Sequence, residues 1–307
     1  MKASLCQHRF SRAQCRSVWL STGSGRSESD QDNDGFCALA SETGGRQVCA
    51  VRSGSIWCVR PRSGGSGAAM SEPSIRSFTA SDGCQIHFRH WKSQTPRGIV
   101  IALHGIQSHS GWYAASSRAM ADAGFDVYFA DRRGSGLNGF QRGHAAHGMR
   151  LINDVRALAA LARDERRTSE VDSGPLPLVI MGISWGGKIA AAAVATFPTE
   201  FDGLALLYPG LHPRILPNAW QRFRLNLARR FEITKTDIPI PLRAAELFTD
   251  TLEWQLFIAN DPLALHTVTS SLLNAGRDLD KLIAERAADI RCPVLLLLAG
   301  RDRIIDN

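Results

Sequence analysis

The sequence predicts an α/β fold: a mainly parallel sheet flanked by helices, with a helical insertion. Short apolar runs of strand length at 98–103, 125–130, 178–181 and 203–207 alternate with helical patterns. Two of these strands run directly into Gly-rich turns, and a late apolar run at 292–300 supplies a further strand. Strands that alternate with helices pair in parallel, and ligands then bind beyond their carboxyl ends.

In chain order, 77–80 and 85–91 read as a strand pair around the turn Ser81-Asp82-Gly83. The run 98–103 is the next strand. A helix over 112–123 ends at Gly124. Strand 125–130 leads through Asp131 into the loop Arg132-Arg133-Gly134-Ser135-Gly136. Over 149–163, Leu151, Ile152, Val155, Leu158, Ala159 and Ala162 fall on one helical face. Asp122 and Asp154 are assigned to helix surfaces or local hydrogen bonds. Strand 178–181 precedes a small-residue helix over 187–197, and strand 203–207 ends at Tyr208-Pro209-Gly210. Residues 211–290 break the alternation. They are helical in character, punctuated by Pro and without a strong strand, as in a cap inserted above the sheet. The run 292–300 reads as a buried parallel strand.

Residues 1–69 differ from the rest. They are rich in Ser, Gly and Arg, and their short apolar pieces cannot bury enough to fold. Three readings fit: an upstream stretch ahead of a natural start at Met70, a disordered leader, or a transit peptide, since residues 1–27 hold basic but no acidic residues. The expected division is therefore a low-complexity leader over 1–69 and one domain over 70–307, with its cap over 211–290.

Composition narrows the function. The 307 residues are 44% hydrophobic, enough for a large core, and no apolar run approaches membrane-spanning length. The net charge of +7 comes without basic runs interleaved with aromatics, so no nucleic-acid partner is expected. Five of the seven Cys lie in the first 58 residues in no zinc-like spacing, and Cys84 and Cys292 fall in expected strands. Free thiols in a reducing, cytoplasmic compartment follow, with no metal.

Chemistry concentrates at three strand ends. Gly182-Ile183-Ser184-Trp185-Gly186 sits between a strand and a helix, the context in which a Ser is held at the tip of a strained turn beside free helix N–H groups. The strand ending in His104-Gly105-Ile106 is where a second donor to an oxyanion is expected, so the N–H groups of Ile106 and Trp185 are the candidate hole. Asp302, after the last strand, suits the acid of a Ser, acid, His order, with Asp306 as an alternative. No His follows within the five remaining residues, so the catalytic His is expected beyond the end of this chain or the fragment is inactive. His104 is expected to be structural. His109 and Tyr208 are candidate substrate contacts. Within the cap, Trp220, Phe223, Leu227 and Phe231 are spaced for one helix face, with Arg222, Arg224, Arg229 and Arg230 on the same segment. That pattern suits either transient contact with a membrane surface or a cap helix packed on its own domain.

These motifs resemble a known family. Leu103-His104-Gly105-Ile106-Gln107-Ser108-His109-Ser110-Gly111-Trp112-Tyr113 is similar to the His-Gly-x-x-x-His-Ser-x-x-Tyr stretch of monoacylglycerol lipase-like α/β-hydrolases, also labelled lysophospholipases or serine aminopeptidase-like hydrolases. Asp131 to Gly136 resembles the family's Asp-x-Arg-Gly-x-Gly loop, with Asn138 where the family often has Ser. The resemblance spans about 71–307. It implies a cofactor-independent serine ester hydrolase of lipid-like substrates, with Ser184 as nucleophile, Asp302 as acid, and Ile106 and Trp185 as oxyanion donors. The alternative is an inactive α/β-hydrolase scaffold that binds a small hydrophobic ligand.

Overall fold

The computed structural model describes residues 72–168, 174–214, 219–231 and 236–306, together with the strands at 37–40, 46–52 and 55–59. The chain divides into two units, Met1–Ala69 and Met70–Asn307. In the first, β1 (Cys37–Ala40), β2 (Arg46–Arg52) and β3 (Ser55–Val59) pair antiparallel in that order. Most of the leader expected over 1–69 lies outside the described residues.

In the second unit, the apolar runs become a seven-stranded sheet. Its strands are β4 (Ser74–Thr79), β5 (Gln85–Trp91), β6 (Gly98–Leu103), β7 (Phe125–Ala130), β8 (Leu178–Ile183), β9 (Gly203–Leu207) and β12 (Val294–Leu297). Their order across the sheet is β12-β9-β8-β6-β7-β5-β4. The five from β7 to β12 pair in parallel, while β4 and β5 are antiparallel. Every residue of β6 is buried, because both faces of the sheet are covered. Ile99, Ile101, Leu103, Leu178 and Ile180 face one core layer. Val100, Ala102, Val127, Phe129 and Met181 face the other.

Helices follow the small and periodic segments. A 3₁₀ turn (Ser110–Tyr113) leads into α1 (Ala114–Asp122). Helix α2 (Gly148–Thr168) buries all six residues of its expected apolar face and runs five residues further than the sequence pattern indicates. The Ala-rich α3 (Trp185–Thr196) is buried through residue 195, since its small side chains let it lie close on the sheet and against α6.

Three expectations change. Helix α6 (Ser270–Arg286) is part of the sheet-flanking layer rather than the cap. Thr269 caps its N-terminus, and Leu272, Ala275 and Leu279 join the core beside α2 and α3. The cap is therefore shorter than 211–290. Its described elements are α4 (Ala219–Arg230), β10 (Asp237–Pro239), which pairs with β11 (Thr267–Thr269) in a small ladder, and α5 (Leu252–Ala259). Strand β12 is parallel as expected but not buried. It occupies the sheet edge, pairs with β9, and leaves all four of its residues exposed. Cys84 and Cys292 lie just ahead of strands rather than within them, half-buried, as free thiols.

Candidate active site

The site is built at the carboxyl ends of β6, β8, β9 and β12. At the end of β8, Ser184 adopts φ 50 and ψ −120, a conformation a non-glycine residue holds only under strain. Close packing fixes the turn around it. A Cβ on Gly182 would stand 2.6 Å from the Gly186 carbonyl oxygen, and one on Gly186 would stand 2.5 Å from that of Leu103. Ser184 is the N-cap of α3, yet its side chain makes no capping bond, so the Oγ is not spent on the helix. Its backbone is anchored instead, with Ser184 N–H donating to Leu207 O at 3.1 Å and Gly210 N–H donating to Ser184 O at 2.8 Å. Trp185 begins α3, where N–H groups have no intrahelical acceptor.

The turn after β6 approaches the same point. A Cβ on Gly105 would lie 3.7 Å from Ser184 Oγ. His104 is buried and structural, as expected. It donates from Nδ1 to Gly105 O at 2.7 Å and accepts at Nε2 from Arg132 N–H at 2.9 Å. Burial, reinforced by the nearby Arg132 charge, pushes its pKa down to about 3 and keeps it neutral.

After β12, Asp302 Oδ1 accepts from the N–H groups of Ile304 and Ile305, both at 2.8 Å, which fixes the carboxylate beside the cavity. Asp306 turns away into an exposed ion pair with Arg214 at 2.9 Å. At the end of β9, Tyr208 takes φ 37 and lines the same cavity. Partial burial and the Asp302 charge raise its phenol pKa.

The cavity measures about 520 Å³ and contains Ser184, Ile106 and Asp302 in its wall. Its roof comes from the cap: Leu242, Leu247, Phe248, Trp254, Phe257 and Ile258. Trp112, in the 3₁₀ turn ahead of α1, meets Phe248 and Phe257 edge-on, with ring centroids 5.7 and 6.4 Å apart. Glu246, Asp250, Arg301 and Arg303 give one part of the wall a polar character. No His lines this cavity among the described residues, and no cluster of His, Cys, Asp and Glu there could hold a metal ion.

The comparisons with known proteins agree with this geometry. The serine aminopeptidase S33 family of hydrolases matches residues 94–307. The chain belongs to that family. This S33-family chain is 28% identical over 239 residues to a monoacylglycerol lipase of Mycolicibacterium smegmatis, covering 76% of this chain and 81% of the relative. It is 27% identical over 255 residues to lysophospholipase L2 of Escherichia coli, covering 75% and 71%. Its fold matches a soluble variant of the Saccharomyces cerevisiae monoglyceride lipase with a TM-score of 0.66 at 18% identity, covering 77% of this chain and 79% of that one. The chain is a hydrolase with the α/β-hydrolase fold.

The structure thus brings together Ser184, Ile106, Trp185, Asp302 and Tyr208, the first, second, fourth and fifth of them in the cavity wall. His109 is elsewhere. Gly111 N–H donates to its Nδ1 at 3.1 Å, which leaves Nε2 as donor to Asp261 at 2.8 Å, and it does not line the cavity. Sequence reasoning missed two features. Asp261, in the loop after α5, also accepts from Trp112 Nε1 at 2.5 Å, and so ties the cap to the turn after β6. Arg132 is buried between the two oxyanion-donor segments. Arg132 stands at a variable position of the Asp131 to Gly136 loop, and no motif marks Asp261.

Proposed function

We propose that this chain is a serine ester hydrolase of lipid-like substrates, of the monoacylglycerol or lysophospholipid type. The observation that carries the reading is Ser184. It is held in a strained turn with its Oγ unspent, beside the turn after β6 and under an apolar roof. In this reading, Ser184 Oγ attacks the ester carbonyl as a His takes its proton. The N–H groups of Ile106 and Trp185 hold the oxyanion that forms. Asp302 orients the His and stabilises its imidazolium. The His then protonates the departing alcohol, and water releases the acyl group by the same route. No such His lines the cavity among the described residues. Asp302 suits that role because Oδ1 is fixed by two backbone N–H groups, leaving the other oxygen to accept.

A cavity of about 520 Å³ roofed by Leu, Phe, Trp and Ile suits an acyl chain, and the relatives named as lipases and lysophospholipases favour the same substrate class. The reaction needs no metal or organic cofactor. The cap adds transient contact with a lipid surface. On α4, Leu225 is buried while Trp220, Phe223 and Leu227 are exposed, and Phe231 continues their stripe. The helix therefore turns its apolar stripe outward, and Arg222 and Arg230 on the same helix are exposed as well. Among the described residues no helix is long and apolar enough to cross a membrane, and free thiols at Cys84 and Cys292 suit a cytoplasmic location. The absence of a His from the described cavity wall favours one second reading, an inactive scaffold that binds a small hydrophobic ligand in the same cavity.

Hydrolysis of p-nitrophenyl butyrate and decanoate separates the two. Three proteins are compared: residues 70–307, the protein read through its natural downstream frame, and that protein with Ser184→Ala. The proposal expects turnover in the second alone, faster on decanoate, and a loss on the order of a million-fold with Ser184→Ala. In the same assay, Trp220→Ser slows an emulsified long-chain ester and leaves soluble butyrate unchanged. A folded, extended protein that is silent on both esters favours the scaffold.

A further inference from the structure

The loop after β7 contains a buried cation with an unusual set of contacts. Arg132 is 8% exposed. Its Nη1 donates to Gly105 O at 3.1 Å and its Nη2 to Ile106 O at 2.9 Å. Its guanidinium lies over the Trp185 ring, 4.8 Å from the centroid. One side chain therefore touches both residues whose N–H groups form the candidate oxyanion hole, from outside the cavity wall.

We propose that Arg132 is a positioning residue of the oxyanion hole. The proposal rests on the reading of Ser184, Ile106 and Trp185 given above. In a trans peptide, C=O and N–H point in opposite directions. Holding the Gly105 carbonyl on the Arg132 side turns the Ile106 N–H the other way, toward the strained turn at Ser184. Holding the Ile106 carbonyl as well fixes that residue at both ends. Stacking on Trp185 locks the side chain of the second donor residue.

The charge contributes too. Among the described residues Arg132 forms no ion pair, and its Nε has no acceptor. The neighbouring Asp131 does not chelate it. Asp131 Oδ1 accepts from Ser110 N–H at 2.7 Å and Oδ2 from Leu137 N–H at 2.9 Å, with Arg89 at 3.5 Å. Burial pulls the Arg132 pKa down to about 10, which leaves it charged at neutral pH. Burying a guanidinium without a contacting carboxylate is costly to folding. The two carbonyl hydrogen bonds of Arg132 and its contact with the Trp185 ring offset part of that cost. A fixed positive charge behind both donors stabilises negative charge as it develops on the reacting oxygen. A neutral ester in the ground state gains little from it. The effect therefore belongs in kcat rather than KM.

The test uses the protein read through its natural frame, with Arg132→Met, Arg132→Lys and Ser184→Ala, assayed on p-nitrophenyl decanoate. Affinity for decylboronic acid, which forms an anionic tetrahedral adduct with an active serine, is measured alongside. For Arg132→Met the expected result is a fall in kcat of about 100-fold or more, with KM within about threefold. Boronate affinity falls in step with kcat. Arg132→Lys, which keeps the charge and loses the fork, falls between the two and keeps the proposal testable where the Met variant does not fold. If Ser184→Ala is silent and a folded Arg132 variant turns over at the wild-type rate, the role of Arg132 is overturned alone. If wild type and Ser184→Ala behave alike, the hydrolase reading falls and this one falls with it.

Discussion

Strands β6 and β12 are written in nearly the same apolar alphabet and live in opposite environments. Gly-Ile-Val-Ile-Ala-Leu of β6 lies between two neighbours and under helices on both faces, and every residue is buried. Val-Leu-Leu-Leu of β12 sits at the edge, with Leu295 53% and Leu296 52% exposed. The comparison separates two contributions to the site. The centre of the sheet supplies rigidity: Gly105, Ile106 and Ser184 are held by close packing that tolerates no Cβ at Gly182 or Gly186. The edge supplies Asp302, whose position rests on a local turn, two N–H groups onto one carboxylate oxygen, rather than on burial of its strand.

Substitutions can break that contrast. The largest effect is expected at the centre. Ile101→Ala empties a fully buried position and is expected to cost about 2–5 kcal/mol in urea unfolding of residues 70–307. A loss below about 1 kcal/mol would mean that β6 is not the rigid element it is taken to be. A smaller effect comes from pH. His104 is held near a pKa of about 3 by burial, against about 6.5 for an unfolded histidine. The unfolded chain therefore binds a proton that the folded chain refuses between those values. This contribution to stability is complete above pH 6.5 and is lost as pH falls toward 3. The buried His90, also held low by desolvation, acts with the same sign. Moving from pH 7.5 to 5.5, where carboxylates remain ionised in both states, should lower the unfolding free energy by something on the order of 1 kcal/mol. A flat or rising profile would contradict a neutral, buried His104. The smallest effect belongs to the edge. Leu296→Ala should cost under about 1 kcal/mol, since half of its side chain is already in water. A cost equal to that of Ile101→Ala would erase the distinction between centre and edge.

Much of this architecture was legible in the sequence. Strands β6, β7 and β9 begin and end where their apolar runs do, because buried parallel strands need no alternation and stop at their turn residues. The Gly-x-Ser-x-Gly turn was readable because its glycines answer a local steric demand. What was not readable depended on distant neighbours. Nothing local in Val294 to Leu297 distinguishes an edge from a centre. Helix α6 looked like part of the cap until Leu272, Ala275 and Leu279 met α2 and α3. His109 lay beside the motif in sequence, but its ring is taken up by Asp261, 152 residues further on. Arg132 was hidden for the same reason. Its partners are the carbonyls of another strand's turn, and a carbonyl leaves no mark in a sequence.

The proposed function requires Ser184 to be an activated nucleophile. Labelling the protein read through its natural frame with an alkyl fluorophosphonate, followed by peptide mass spectrometry, tests it directly. The expected result is one stoichiometric adduct on the peptide that carries Ser184, slowed by a decanoyl ester and absent from Ser184→Ala. A folded protein that takes up no label, or takes it up on another serine, would contradict it.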